Sequence, residues 1–183
     1  MVHDSFLDLE KVDKWVWKAD MCLKFLVKST YDILKGEFEG DHPQLFNSFW
    51  RIKALPLAHF VAWMVLENKI STKDNLVRRE VVVERILCCF CRKKKENLFH
   101  LFFGCKFAWL VWNLCYAWLW LKSVDHLNPH SHFSHINLCN APISINLVLG
   151  NVWIAMVSEI WCHRNKIIFN GGVVDRSNIF FLA

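Results

Sequence analysis

Apolar residues alternate briefly near the start of the chain and take up helical spacing over most of the rest. Trp15-Val-Trp17 and Lys24-Phe-Leu-Val-Lys28 read as two short strands, a small β-hairpin at most. Ser29 or Thr30 can cap a helix to about Lys35, where Gly36 ends it. Pro43 opens a helix whose Phe46, Phe49 and Trp50 form an apolar face. Pro56 opens another, with Phe60, Trp63, Val65 and Leu66 directed inward. Ser71 or Thr72 caps a short basic helix carrying Asp74, Arg78 and Arg79, and residues 81–87 read as an extended segment. After Cys105 a helix runs to about Leu121 with Trp109, Trp112 and Trp120 near helical spacing. Residues 122–143, holding Pro129, Pro142 and many Asn and Ser, read as a linker. Ile145 to Phe169 then forms one amphipathic helix. The expected fold is mainly α with a small β-hairpin: one domain over residues 12–121, a linker over 122–143, and a Trp-bearing C-terminal helix within 144–183.

Composition makes a packed core affordable: 54% of residues are hydrophobic, with ten Trp and fifteen Phe, which argues against disorder. The apolar run from Phe107 to Leu121 is broken only by Asn113 and is short for a membrane span. Residues 147–157 hold Asn151, and both runs are expected as buried helices, with no membrane partner. Met1 to Lys11 carries His3, Asp4, Asp8 and Glu10 and has no apolar core of a secretion signal. Of eight cysteines, Cys22, Cys115, Cys139 and Cys162 are scattered without framework spacing, so a reducing intracellular compartment is expected, the nucleus among the choices.

Four of those cysteines and histidines stand apart. Cys88, Cys91, His100 and Cys105 have the spacing C-x2-C-x8-H-x4-C. Three thiolates and an imidazole complete a tetrahedral zinc site, and a site closed by four protein ligands holds structure and leaves no position for a reactive water. A two-residue gap lets one tight turn aim both cysteines at one ion. Cys89 is the alternative first ligand, and buried reduced thiols are the plainer reading of the same residues. His126, His130, His132 and His135 crowd the linker without a cysteine pair or helical spacing, so a solvated His-rich loop is expected there.

The net charge of +5 is concentrated in residues 50–106. Arg92, Lys93, Lys94 and Lys95 lie between the two ligand pairs, and Arg78 and Arg79 precede them. A basic segment of this kind is the electrostatic footprint of phosphate binding, with RNA or DNA as the expected partner.

The order of these motifs resembles the zinc-binding domain of plant LINE-type (non-LTR) retrotransposon reverse transcriptases. The likeness starts with Asp13-Lys-Trp15-Val-Trp17 and Phe25-Leu-Val-Lys-Ser-Thr-Tyr31. It continues through Trp50-Arg-Ile-Lys-Ala-Leu-Pro56, Phe60-Val-Ala-Trp63 and Thr72-Lys-Asp-Asn-Leu-Val-Arg78-Arg79. It ends with His100-Leu-Phe-Phe-Gly-Cys105 and Ala108-Trp109-Leu-Val-Trp112. The resemblance implies zinc on Cys88, Cys91, His100 and Cys105, and polymerase or ribonuclease H domains of a parent element as partners. Trp161-Cys-His-Arg164-Asn165 is similar to the segment that leads toward a ribonuclease H domain in longer relatives. The chain departs from the pattern in Leu23 and Leu26, in Leu57 and His59, and in the basic rather than acidic loop Arg92–Lys95. It has no paired-aspartate polymerase motif and no ribonuclease H carboxylate cluster. The expectation is a non-catalytic module, a fragment or remnant of such an element.

Overall fold

Proline placement sets the first two helices. Pro43 starts α1 (Pro43–Trp50), and Pro56 starts α2 (Pro56–Leu66), where a missing N–H costs nothing because the first helical amides have no intrahelical acceptor. The computed structural model describes residues 43–122, 128–136 and 141–174. The β-hairpin expected over residues 15–28 and the helix expected near 30–35 lie outside them. Among the described residues no strand forms; the one element of β pairing is an isolated antiparallel bridge between Leu87 and Lys95.

Four further helices follow: α3 (Lys73–Arg78), α4 (Lys106–Trp118), α5 (Pro129–Ile136) and α6 (Ile143–Asn170). A π-helical turn, His100–Gly104, precedes α4. Thr72 sits at the N-cap of α3, but its hydroxyl donates to the Asp74 carboxylate at 2.5 Å instead of accepting from a backbone amide. The α6 helix ends at Gly171, whose φ of 63° requires a residue without a Cβ penalty although a side chain there would meet open space.

The core is built around α6, which packs most extensively on α2 and also on α5. Val61, Ala62 and Val65 of α2 are buried, as are Trp153, Ile154, Met156, Val157 and Ile160 of α6. Phe133 of α5 meets the Trp153 ring edge-on at 4.9 Å and the Phe49 ring at 5.7 Å. By length and composition α6 could cross a membrane. Here its most apolar stretch contributes the central core side chains of the helical assembly.

The segment 122–143, expected as a solvated linker, contains α5. Asn128 caps it, its side-chain oxygen accepting from the His130 and Ser131 amides at 2.8 and 3.4 Å. His132, Phe133 and Ile136 fall on one face and are buried. Histidine is admitted to this core because both ring nitrogens find partners. The Trp153 indole N–H donates to Nδ1 at 3.0 Å, and Nε2 lies 3.2 Å from the Tyr116 hydroxyl. An acceptor Nδ1 places the proton of the neutral ring on Nε2. Other expectations for the aromatic residues change as well. Phe60 is half exposed, Trp109 is 44% exposed, and Trp120 lies beyond α4 at 94% exposure, whereas Trp112 is buried with its indole N–H on the Phe102 carbonyl at 2.8 Å.

Candidate metal centre

A tight irregular hairpin presents the first two candidate ligands. The Glu96 amide donates to the Ile86 carbonyl at 2.9 Å and the Cys88 amide to the Lys94 carbonyl at 2.8 Å, so residues 86–96 fold back on themselves. Inside that turn the Arg92 amide donates to the Cys88 carbonyl at 2.9 Å, which brings Cys88 and Cys91 to one side. Arg92 takes φ 54° to close the turn, a left-handed conformation that favours glycine and is strained for arginine. Phe90, between the cysteines, packs against Phe107 with ring centroids 4.3 Å apart and anchors the turn to α4.

The second pair comes from the π-helical turn. Asn97 accepts from the His100 amide through its side-chain oxygen at 2.7 Å and so starts the turn. The Cys105 amide donates to the His100 carbonyl five residues back at 2.7 Å, the wide spacing of a π-turn. Leu101, Phe102 and Phe103 are buried within it, so apolar packing fixes the turn that carries His100 and Cys105.

The ligand atoms of Cys88, Cys91, His100 and Cys105 all lie within 4.8 Å of one another. A tetrahedral zinc with Zn–S bonds of about 2.3 Å requires sulfur atoms about 3.8 Å apart and sulfur and nitrogen about 3.6 Å apart. Cys88 Sγ and Cys105 Sγ are 4.0 Å apart, and Cys91 Sγ and His100 Nε2 are 3.2 Å apart. The donor set and its spacing therefore fit a zinc ion. Of the two adjacent cysteines, Cys88 belongs to this group and Cys89 does not.

Cys89 is nevertheless in contact with the site. Hydrogen bonds from Cys105 and then Cys89 hold the Cys88 thiol far below its ordinary range against the opposing effect of burial. The Cys105 thiol is pushed up by its bond to Cys88 and then by burial, and the Cys89 thiol rises for the same two reasons, with Glu96 adding to it. Cys88 is thus the acceptor of hydrogen bonds from the Cys105 and Cys89 thiols. A cation placed among these sulfurs displaces those protons, which is how metal binding and thiol ionisation are coupled.

The basic residues separate into two groups. Arg92, Lys93, Lys94 and Lys95 are all exposed at the hairpin tip. Arg78 and Arg79 end α3 and are tied locally. Arg78 pairs with Asp74 and Asn75, and Arg79 donates to the Lys69 carbonyl at 2.7 Å. The structure brings the four candidate ligands together and leaves the hairpin cations facing solvent.

The centre has one feature that its local motif does not reveal. Glu96, buried at the return of the hairpin, pairs with Arg164 of α6, whose Nη2 and Nε lie 2.8 and 3.2 Å from Oε1. Lys73 Nζ stands 3.7 Å from Oε2. In the sequence Glu96 directly follows four basic residues, and nothing local names its partner 68 residues away.

A mainly helical domain in which a Cys3His cluster joins a hairpin to a π-turn has the donor set of a structural zinc site. Residues 25–112, a little under half of the chain, match the family described as zinc-binding in reverse transcriptase. The matched region contains all four candidate ligands. Neither a curated protein nor a solved structure matches the chain.

Proposed function

We propose that this chain is a non-catalytic zinc-binding module of a reverse transcriptase of the plant LINE type, with zinc on Cys88, Cys91, His100 and Cys105. The observation that carries the reading is the convergence of these four donors to within 4.8 Å of one another inside the region that matches the family. Zinc, when bound, ties the 86–96 hairpin to the π-turn. The cysteines would give up their protons to it, and His100 would bind through Nε2, the nitrogen facing Cys91. Four protein donors leave no coordination position for substrate or water, and the match is to an accessory zinc-binding domain.

Nucleic acid is the proposed partner, RNA or DNA. Arg92 to Lys95 project from a loop whose base is held by hydrogen bonds and by the donor cluster, so little conformational entropy is lost when they meet phosphates. Arg78 and Arg79 are secondary contributors because each already has a local partner. This reading places the protein inside the cell and away from the membrane.

A docking role is supported by a different observation. Trp109, Leu114 and Trp118 are exposed along α4, and Trp120 follows them. Such a surface suits protein contact, as with a polymerase or ribonuclease H domain of a parent element. Titration of the purified chain with single-stranded RNA and duplex DNA at two salt concentrations separates the readings. Phosphate contact gives affinity that falls steeply with salt, whereas no binding at low salt removes the nucleic-acid reading and leaves docking.

A further inference from the structure

The long C-terminal helix meets the π-turn through Trp161, which stacks on Phe102 at 6.4 Å, and the hairpin through the consecutive residues His163 and Arg164. His163 stacks on Phe107 with the planes 6° apart and centroids at 5.5 Å, and on Phe90 at 5.9 Å. Phe90 is the residue between Cys89 and Cys91. Arg164 reaches Glu96 as described, is itself buried, and is steadied by the Trp161 ring 4.7 Å away and by Asn165 Oδ1 at 2.9 Å.

Glu96 stands where the two halves of the metal centre join along the chain. Its amide closes the hairpin on Ile86, its carbonyl accepts from the Asp74 amide at 3.2 Å, and the next residue, Asn97, starts the turn bearing His100. Fixing Glu96 therefore fixes the separation of the Cys88–Cys91 pair from the His100–Cys105 pair. Arg164 holds its side chain with two N–H donors on a single oxygen, inside a region where water does not compete.

Building on the zinc reading, we propose that Arg164 is a positioning residue of the metal centre: through Glu96 it sets the spacing of the two ligand pairs, so the metal-binding unit extends beyond the matched residues 25–112 to include α6. Residues that orient a metal's ligands without touching the ion typically change metal affinity 10–100-fold when removed. Loss of the Arg164 contact would let the hairpin drift relative to the π-turn and speed zinc release.

The experiment uses the full chain loaded with zinc and follows transfer of the metal to a colorimetric chelator, with circular dichroism recorded on each sample. Arg164→Met should release zinc about tenfold faster than the parent or more while helical content is kept. That variant leaves Glu96 buried with only Lys73 beside it, which alone can loosen a fold. The double variant Glu96→Gln/Arg164→Met removes both charges and decides the point, also if the single variant fails to fold. Fast release from the double variant supports positioning. Release at the parent rate from the double variant shows that only the buried charge left behind in the single variant mattered, and overturns the proposal. Unchanged release from folded Arg164→Met overturns it as well. If the parent chain itself holds no zinc, the zinc reading has failed, a result distinct from either.

Discussion

Residues 86–96 and the α2–α5–α6 assembly are held by different means. The hairpin closes through a few backbone hydrogen bonds, one strained arginine and a cluster of thiols, and it contributes only one large apolar side chain, Phe90, to the buried core. The helical assembly buries Trp153, Phe133, Ile154, Met156 and Ile160 almost completely, and within it the Trp153 indole donates to the buried His132. Apolar burial is non-directional and spread over many contacts, so it tolerates small shifts. A four-donor cluster is directional and concentrated, so it yields a defined shape from very few residues but loses that shape when one donor is lost. The lesson is that the chain carries two kinds of stability, which meet at the Glu96–Arg164 pair.

The largest effect is expected from the metal. Structural zinc in finger-type peptides is worth about 10–16 kcal/mol of folding free energy. Cys91→Ser or His100→Ala should reduce zinc from one per chain to a small fraction, whereas Cys139→Ser should leave it unchanged. Hydrogen exchange should quicken across residues 86–105 and stay slow in the 149–160 part of α6. Equal loosening of both regions would end the contrast drawn here, and full zinc content in the Cys91 variant would refute the ligand assignment.

The converse perturbation is Trp153→Ala. Removing a fully buried indole should cost about 3–5 kcal/mol, and it also takes the donor away from His132 Nδ1. A lower urea midpoint with zinc still bound before the transition is the expected result. Loss of zinc in parallel with the first loosening would mean that the core, not the donors, organises the knuckle.

At the hairpin surface the expected change is in binding. Lys93, Lys94 and Lys95 replaced together by Gln should weaken RNA or DNA binding for all sequences alike. The salt slope of log affinity should fall by roughly two to three units, about one for each phosphate contact. Faster aggregation with an unchanged slope would show that these lysines serve solubility, and would favour docking. Arg92 offers a smaller test of local strain. Arg92→Gly should raise stability by up to about 1 kcal/mol, because glycine takes φ 54° without a Cβ clash, while Arg92→Val should lower it. Chemical denaturation of the zinc-loaded proteins measures both.

The most graded effect concerns pH and belongs to the helical side. His59 packs against the Phe49 and Trp50 rings at 4.4 and 5.0 Å, and burial lowers its pKa below the ordinary 6.5 despite a backbone hydrogen bond to Phe49 that raises it. The unfolded chain then binds the proton more readily than the folded one. This contribution to stability is therefore complete above about pH 6.5 and is lost as pH falls toward the folded value. In a Cys91→Ser background, where zinc does not intervene, His59→Gln should flatten the decline in stability between pH 7 and 5. An unchanged profile would assign the decline to other groups.

Much of this protein is written locally. Pro43 and Pro56 start their helices where their rigid φ predicts, and the helix expected from Ile145 to Phe169 is found from Ile143 to Asn170. The C-x2-C-x8-H-x4-C spacing announces the donor cluster because a turn and a helix start have fixed geometry over a few residues. Burial is different, because it depends on what arrives from elsewhere. The His-rich segment reads as solvated until Trp153 and Tyr116 supply partners for His132, and the outward positions of Phe60 and Trp109 follow from which helix faces are already covered. The choice of Cys88 over Cys89 and the pairing of Glu96 with Arg164 likewise depend on atoms brought together across the fold. Spacing along the chain sets short-range geometry, but the environment of a side chain is set by distant segments, and only packing decides which of them meet.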